Sequence, residues 1–343
     1  MHKLLGIALL GLSTCQALAQ VKLLTTGWVN NPPNKKECHA STIVELGKDS
    51  FLTAWFAGSH EKNPDVCIWT SRSKNGQWEA PVQVADGVVS ASLRYPCWNP
   101  VLFKNKAGKL FLFYKVGKNP REWWGMMKTS DDDGEHWSAA VRLPDGILGP
   151  IKNKPIQLDS GELLCPSSTE SVQGNRWNIH IEKADASGSH WKKITIECDS
   201  FGVIQPTVLV HPSGRLQLLC RSRQNHVIET WSSNKGETWT KLSMISLQNP
   251  NSGIDGVTLH NGQHLLVYNP TQSGGNHWSN GRNKLAVALS SDGQHWNESP
   301  LLLEDEAQGE FSYPAVIQDE QGRVHVTYTY NRKMIKHVVL QVE

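Results

Sequence analysis

Five tryptophans, Trp78, Trp137, Trp191, Trp239 and Trp296, recur 48 to 59 residues apart, each closing a stretch that approximates Ser-x-Asp-x-Gly-x-x-Trp. A period of this length, sustained over most of a chain, demands an array of similar units, each too small to bury its own apolar face and therefore stacked on its neighbours. The best copy is Ser130-Asp131-Asp132-Asp133-Gly134-Glu135-His136-Trp137. Residues 232–239 place Asn234 where Asp is expected, residues 290–296 are one position short, residues 184–191 keep only the Gly and Trp, and residues 71–78 are eroded. In such a stretch the carboxylate bonds nearby backbone N–H groups, Gly takes a positive φ and the Trp packs back under the loop. The motif is structural, and it locates the units.

A second repeat counts them. Glycine turns leading into apolar strands occur at Gly47, Gly108, Gly161, Gly214, Gly262 and Gly322, and in the first five units the Trp follows 25 to 34 residues later. After Gly322 the chain ends before a Trp motif could follow. Six turns against five motifs predict an all-β, six-bladed β-propeller of four-stranded blades, the last blade closed by a strand from the opposite end of the chain, around Val21–Trp28. Residues 41–46, 51–56, 66–71, 109–115, 162–166, 215–220, 284–290 and 323–330 are short, rich in β-formers and bounded by turn residues, as strands should be.

Met1-His2-Lys3, the apolar run 4–12 and Ala17-Leu18-Ala19 have the three zones of a cleaved export signal, which divides the chain into a leader, 1–19, and a single propeller domain, 20–343. The expected location is periplasmic or extracellular. Leu12-Ser13-Thr14-Cys15 departs from a lipidation site at Thr14, which makes lipid anchoring the lesser reading. No later apolar run approaches the roughly 18 residues of a membrane span. A net charge of +2 without a basic run gives no footprint for nucleic acid. The six cysteines after the leader lie in no zinc spacing and read as buried free thiols, and no metal or cofactor motif is present.

Propellers gather ligand-facing residues at one mouth, where innermost strands and their loops converge. His39, flanked by Glu37 and Ser41, could act as acid or base near neutral pH. Glu61 and Asp65 lie in a polar loop between two apolar strands and could share acid and base work across a glycosidic bond. Arg94, Trp98, Trp123, Trp124, Lys154 and Glu170 form the densest cluster without a simple structural reason. Cations suit an acidic sugar, tryptophan faces suit a pyranose, and Glu170 is a further acid or base candidate.

The Trp motifs resemble the Asp-boxes of sialidases, and the chain from residue 20 onward resembles the BNR-repeat, sialidase-like superfamily. Gly281-Arg282-Asn283-Lys284-Leu285, the motif ending at Trp296, and then Phe311-Ser312-Tyr313-Pro314 are similar to the sialidase segment that carries the third substrate-binding arginine, an Asp-box and the tyrosine nucleophile. The resemblance implies that Arg282 grips a carboxylate and that Tyr313 is the nucleophile. It also places the second arginine in Leu219-Cys220-Arg221-Ser222-Arg223 and the general acid at Asp65 or Glu61. Two positions depart from the family. His39 stands where the first arginine is expected, and Gln205 where the glutamate that activates the tyrosine would fall. A neutral amide cannot take the phenolic proton, and an unactivated hydroxyl is a weak nucleophile.

The expectation is therefore an exo-acting glycoside hydrolase on a terminal, acidic sugar of a glycan, with Arg223 and Arg282 converging on an anionic group. Asp65 and His39 would carry the acid–base work, Tyr313 and Gln205 would contact substrate, and ordinary sialosides would turn over slowly. The alternatives are a polysaccharide lyase on a uronate-containing glycan and a non-catalytic glycan-binding propeller.

Overall fold

The computed structural model describes residues 20–171, 173–274 and 280–343. The expected leader, 1–19, lies outside them. Six antiparallel four-stranded units follow one another around an axis, the first extended by one extra short strand. In the sixth, Phe311–Gln318, Val324–Tyr330 and Met334–Val342 are completed by Val21–Trp28 from the opposite end of the chain, with Val21 opposite Val342 and Trp28 opposite Lys336. The six blades and the closing strand are those that the turn count predicts.

Each blade buries both faces, so its central strands read as continuous apolar runs rather than alternating ones. Leu110–Val116 of blade 2 is buried throughout. Its Leu110, Leu112 and Tyr114 pack towards blade 1 with Leu52, Ala54 and Phe56, while Phe111 and Phe113 pack towards blade 3 with Leu163 and Cys165. Among the described residues the six cysteines are free thiols, five of them buried, and Cys97 and Cys165 serve as small apolar residues in these interfaces.

The Trp motifs form the hairpins between third and fourth strands and brace neighbouring blades. In blade 2, Asp132 accepts from the N–H of His136 at 2.9 Å and from Ser130 Oγ at 2.7 Å, while the carbonyl of Asp133 accepts from Arg72 of blade 1 at 2.8 Å. The equivalent hairpin of blade 5 is held by Gln217 of blade 4, which donates to the carbonyl of Gly293 at 2.8 Å.

At the opposite end, the innermost strands of blades 1, 2, 4 and 6 carry bulges. Ala40, Asn99, Gln205 and Tyr313 sit at φ 56, 35, 54 and 54°, and in each case the pairing register to the second strand shifts there. A bulge re-aims side chains and interrupts the ladder, and a non-glycine residue at positive φ carries strain of order 1–3 kcal/mol. Four such residues at corresponding points of a ring mark the mouth as the end of the propeller shaped for something other than stability.

Candidate active site

Two of the bulges bring Gln205 and Tyr313 face to face. The Gln205 amide donates to the Tyr313 hydroxyl at 3.3 Å, and Arg221 donates one N–H to that hydroxyl at 2.8 Å and to Gln205 Oε1 at 3.1 Å. Arg221 is fixed from behind by Asn251, which accepts from Nε at 3.0 Å and, through its backbone carbonyl, from Nη2 at 3.0 Å. The same carbonyl accepts from Arg282 Nη2 at 2.8 Å, so one loop residue spaces two guanidinium groups. Arg282 is buried, with Glu310 3.5 Å away, and burial together with Arg221 draws its pKa down to about 10.

A third guanidinium arrives from the turn after the second strand of blade 6. Arg332 donates Nε to Glu310 at 3.0 Å and pairs with Glu61, while its backbone carbonyl accepts from the N–H of Cys38 at 2.8 Å. This anchors it beside His39, the position where the family resemblance expects an arginine on blade 1. His39 itself is buried, shares a 2.9 Å hydrogen bond with Thr329 through Nδ1, and lies with its ring centroid 4.1 Å from that of Tyr313. Burial, then Arg332, Arg282, Arg221 and Lys152, push its pKa well below the ordinary histidine value. A neutral imidazole at this point is a hydrogen-bonding wall of the site rather than a charge on it.

Lys152 approaches from blade 3, with Nζ donating to Asn153 Oδ1 at 2.8 Å and to the carbonyl of Ile254 at 2.9 Å, and lies 5.8 Å from the Tyr313 ring. Burial draws its pKa down to about 7. Tyr313 is therefore ringed by Arg221, Arg282 and Lys152, with Arg332 next to them. The nearby carboxylates, Glu310 and Glu61, are engaged by arginines.

Several expected site residues lie elsewhere. Arg223 does not join Arg282. It sits beyond the end of the second strand of blade 4, Leu216–Ser222, stacks 4.2 Å over Trp177 and donates to the carbonyl of Asn175 at 2.8 Å. Arg221, still within the strand, reaches the axis in its place. Trp98 presents no face to a ligand. Its Nε1 donates to the carbonyl of Gly117 at 2.8 Å and its ring is buried against Phe56 and Trp123. Lys154 spends its charge on Asp255 at 3.0 Å, below the mouth, where Asp255 also accepts from Thr207 at 2.8 Å. Arg94 donates to Cys67 Sγ at 2.8 Å, away from the cluster.

Asp65 is exposed; desolvation is the largest single influence on its carboxyl and pushes the pKa up, but the hydroxyl and backbone N–H of Ser59, each 2.8 Å away, together with Lys35 outweigh it and hold the pKa below the ordinary value. Glu170 has the contrasting environment. It closes the second strand of blade 3, and burial raises its pKa although Arg221 and Trp177 oppose the shift. With Trp124, Trp123, Arg121 and Arg142 it lines a cleft of about 240 Å³ beside the cluster. Among the described residues no group of three or more His, Cys, Asp or Glu side chains is placed to hold a metal ion. Among them, too, no helix is long and apolar enough to cross a membrane.

A six-bladed ring with Asp-box hairpins on one face and a strained, arginine-lined mouth on the other is a sialidase-like propeller. The BNR repeat-like domain family model matches residues 49–326, and the chain belongs to that family. Among solved structures it is similar to a protein of unknown function from Dyadobacter fermentans, with a TM-score of 0.75 at 15% identity, covering 94% of this chain and 99% of that one. It is similar to the NanB sialidase of Streptococcus pneumoniae, in its K499G form, with a TM-score of 0.70 at 14% identity, covering 90% of this chain and 69% of that one. It is also similar to the intramolecular trans-sialidase of Ruminococcus gnavus, solved with oseltamivir carboxylate, with a TM-score of 0.70 at 13% identity, covering 92% and 97%. At these identities the likeness is one of fold. No curated protein matches the chain.

Proposed function

We propose that this chain is an exported, exo-acting glycoside hydrolase that takes a terminal acidic sugar at the propeller mouth. The observation that carries the reading is the convergence of Arg221, Arg282 and Arg332 around Tyr313, three guanidinium groups from three positions of the ring held by Asn251, Glu310 and Glu61. Planar guanidinium forks recognise a carboxylate bidentately, and a water-poor pocket makes each such contact count for more than it would in bulk solvent. Two of the structures that share its fold bear sialidase or trans-sialidase in their names, which supports the reading.

In this reading the sugar carboxylate lies on the arginines and its anomeric carbon faces the Tyr313 hydroxyl. The N–H of Arg221 already points at that oxygen and would stabilise negative charge developing there. Gln205 orients the hydroxyl but takes no proton from it, so the phenolic proton passes to water as the Tyr313 oxygen bonds to the anomeric carbon and the glycosidic C–O bond breaks, and a water then displaces the tyrosine. Glu170, whose raised pKa keeps a larger protonated fraction than Asp65, supplies the acid for the departing group. The test is incubation with sialyl-, glucuronyl- and keto-deoxy-sugar-terminated oligosaccharides, followed by mass analysis of products. A released acidic monosaccharide supports the hydrolase. Ultraviolet absorbance of an unsaturated uronate would instead assign a lyase, with Tyr313 as the proton-abstracting group, and binding without turnover would assign a lectin.

A further inference from the structure

A second cavity lies away from the mouth. It runs along the outer flank between blades 6 and 1, with a volume of about 960 Å³, and its origin lies in the repeat. In blades 2 to 5 the Trp-motif hairpin leans onto the preceding blade. A methyl group built on Gly134 would stand 3.0 Å from Leu52 of blade 1, one on Gly188 would stand 2.9 Å from Met127 of blade 2, one on Gly236 would stand 2.6 Å from Leu164 of blade 3, and one on Gly293 would stand 2.1 Å from Gln217 of blade 4. At Gly76, in the eroded motif of blade 1, such a group would meet nothing within 4 Å. The hairpin that should fill the junction of blades 6 and 1 does not reach across it, and the space stays open.

The walls of this space are chemically specific. Trp78, in the eroded motif, packs on the core of blade 1 and also meets His337 of blade 6 edge-on at 5.3 Å. The half-buried Trp78 and the buried Phe51 line the cavity. Ser73 is buried with its hydroxyl unpartnered, and both polar atoms of the Asn34 amide are shielded from solvent without a hydrogen-bond partner. Buried polar atoms left without a partner each cost about 1–3 kcal/mol, so their presence on a cavity wall points to a ligand that supplies the partners. Charge is cancelled on these walls. Arg323 is bound to Asp49 at 2.6 Å and to Asp319 at 2.7 Å, and His337, joined to His325 at 3.0 Å, has its pKa pressed down to about 3 by burial.

We infer that the junction between blades 6 and 1 is a second carbohydrate site, for a neutral mono- or disaccharide, independent of the anionic site at the mouth. An aromatic face stacks on a pyranose. The side-by-side donor and acceptor of Asn34 match the vicinal hydroxyls of a sugar, each of which both donates and accepts. The volume falls within the roughly 300–1,000 Å³ of small-molecule sites. A glycan-active protein gains from such a site by holding the uncharged part of its polymer while the mouth works on an acidic end.

The experiment is titration calorimetry of the protein with cellobiose, lactose and maltose, repeated on Trp78→Ala, Asn34→Ala and Arg282→Ala. At least one of the three disaccharides is expected to bind, with affinity lowered by about tenfold in Asn34→Ala and in Trp78→Ala and unchanged in Arg282→Ala. Asn34 makes no internal hydrogen bond through its amide, so its variant keeps the test decisive if Trp78→Ala fails to fold. Absence of binding by all three sugars at millimolar concentration would overturn the inference. So would affinity unchanged in Asn34→Ala, or affinity lost in Arg282→Ala, which would move the sugar to the mouth.

Discussion

Gln205→Glu tests whether the missing carboxylate is what separates this site from a sialidase. The substitution exchanges an amide nitrogen for oxygen at the atom 3.3 Å from the Tyr313 hydroxyl, while the other terminal atom keeps its 3.1 Å contact with Arg221. Backbone cost does not change, because Gln and Glu are equally strained at φ 54°. A buried carboxylate loses several kcal/mol of hydration. Against this, one cation at about 4 Å returns about 4 kcal/mol at an effective dielectric near 20, and Arg282 and Lys152 lie 5.9 and 5.8 Å from the ring of the same phenol. Folding stability should therefore change little, which thermal unfolding will show. A proton acceptor at hydrogen-bond distance from a nucleophile contributes about 10²–10⁴ in rate. On a fluorogenic α-sialoside, Gln205→Glu should raise kcat by a factor in that range over a weak parent, and Tyr313→Phe should cancel the gain. A folded Gln205→Glu variant with no gain would show that something other than the base limits turnover. It would also refute the reading of Gln205 as the decisive departure.

The remaining predictions separate neighbouring residues. Arg221→Ala and Arg282→Ala should each weaken binding of the acidic oligosaccharide by about 2–5 kcal/mol in calorimetry, whereas Arg223→Ala, which removes only a contact with Asn175 and the face of Trp177, should leave it nearly unchanged. Glu170→Gln should lower kcat by about 10²–10⁴ and abolish the alkaline limb of the pH–rate profile, with Asp65→Asn milder in both respects. His337 has a folded pKa depressed to about 3. Its contribution is therefore unchanged above the unfolded value near 6.5 and is lost as pH falls, by about 1.4 kcal/mol per pH unit, until the folded pKa is reached. Urea titrations at pH 7 and pH 5 should show a smaller loss of stability in His337→Gln than in the parent, and equal losses would refute the assignment.

The fold was legible because its signals are local and repeated. Each Gly turn and each Trp motif specifies its own hairpin, and six similar units leave a closed ring as the natural way to bury both faces of every blade. Even the closing strand, Val21–Trp28, follows from counting turns against motifs. In the candidate site the family resemblance supplied a register at Tyr313, Gln205 and Arg282, whereas His39, Glu61 and Glu170 were readable from residue chemistry and loop position. Arg221 and Arg223 show the limit. Both lie in one short basic stretch, and only the exact end of the strand at Ser222 decides that the first reaches the axis and the second turns to Trp177. Arg332 was out of reach for a different reason. It sits in a turn of blade 6 and enters the site through contacts with Glu61, from the loop of blade 1, and with Glu310, a meeting of positions 271 and 22 residues apart that no local pattern encodes.

One signal at the mouth was nevertheless present and unused. Asn99-Pro100, Gln205-Pro206 and Tyr313-Pro314 each stand at the start of an innermost strand, and the residue before proline in all three is a bulge residue at positive φ. Proline has no N–H to give to the ladder, and within sheets it is confined to edges, strand starts and bulges. A polar or aromatic residue followed by proline at corresponding points of successive units therefore marks where the ladder is broken and a side chain is turned towards the axis. Applied to blade 3, the same register selects Lys154 before Pro155, whose charge is in fact drawn to Asp255 of blade 5. The pattern thus locates the ring of axis-facing residues, and the pairing of charges across that ring determines which of them remain available to a substrate.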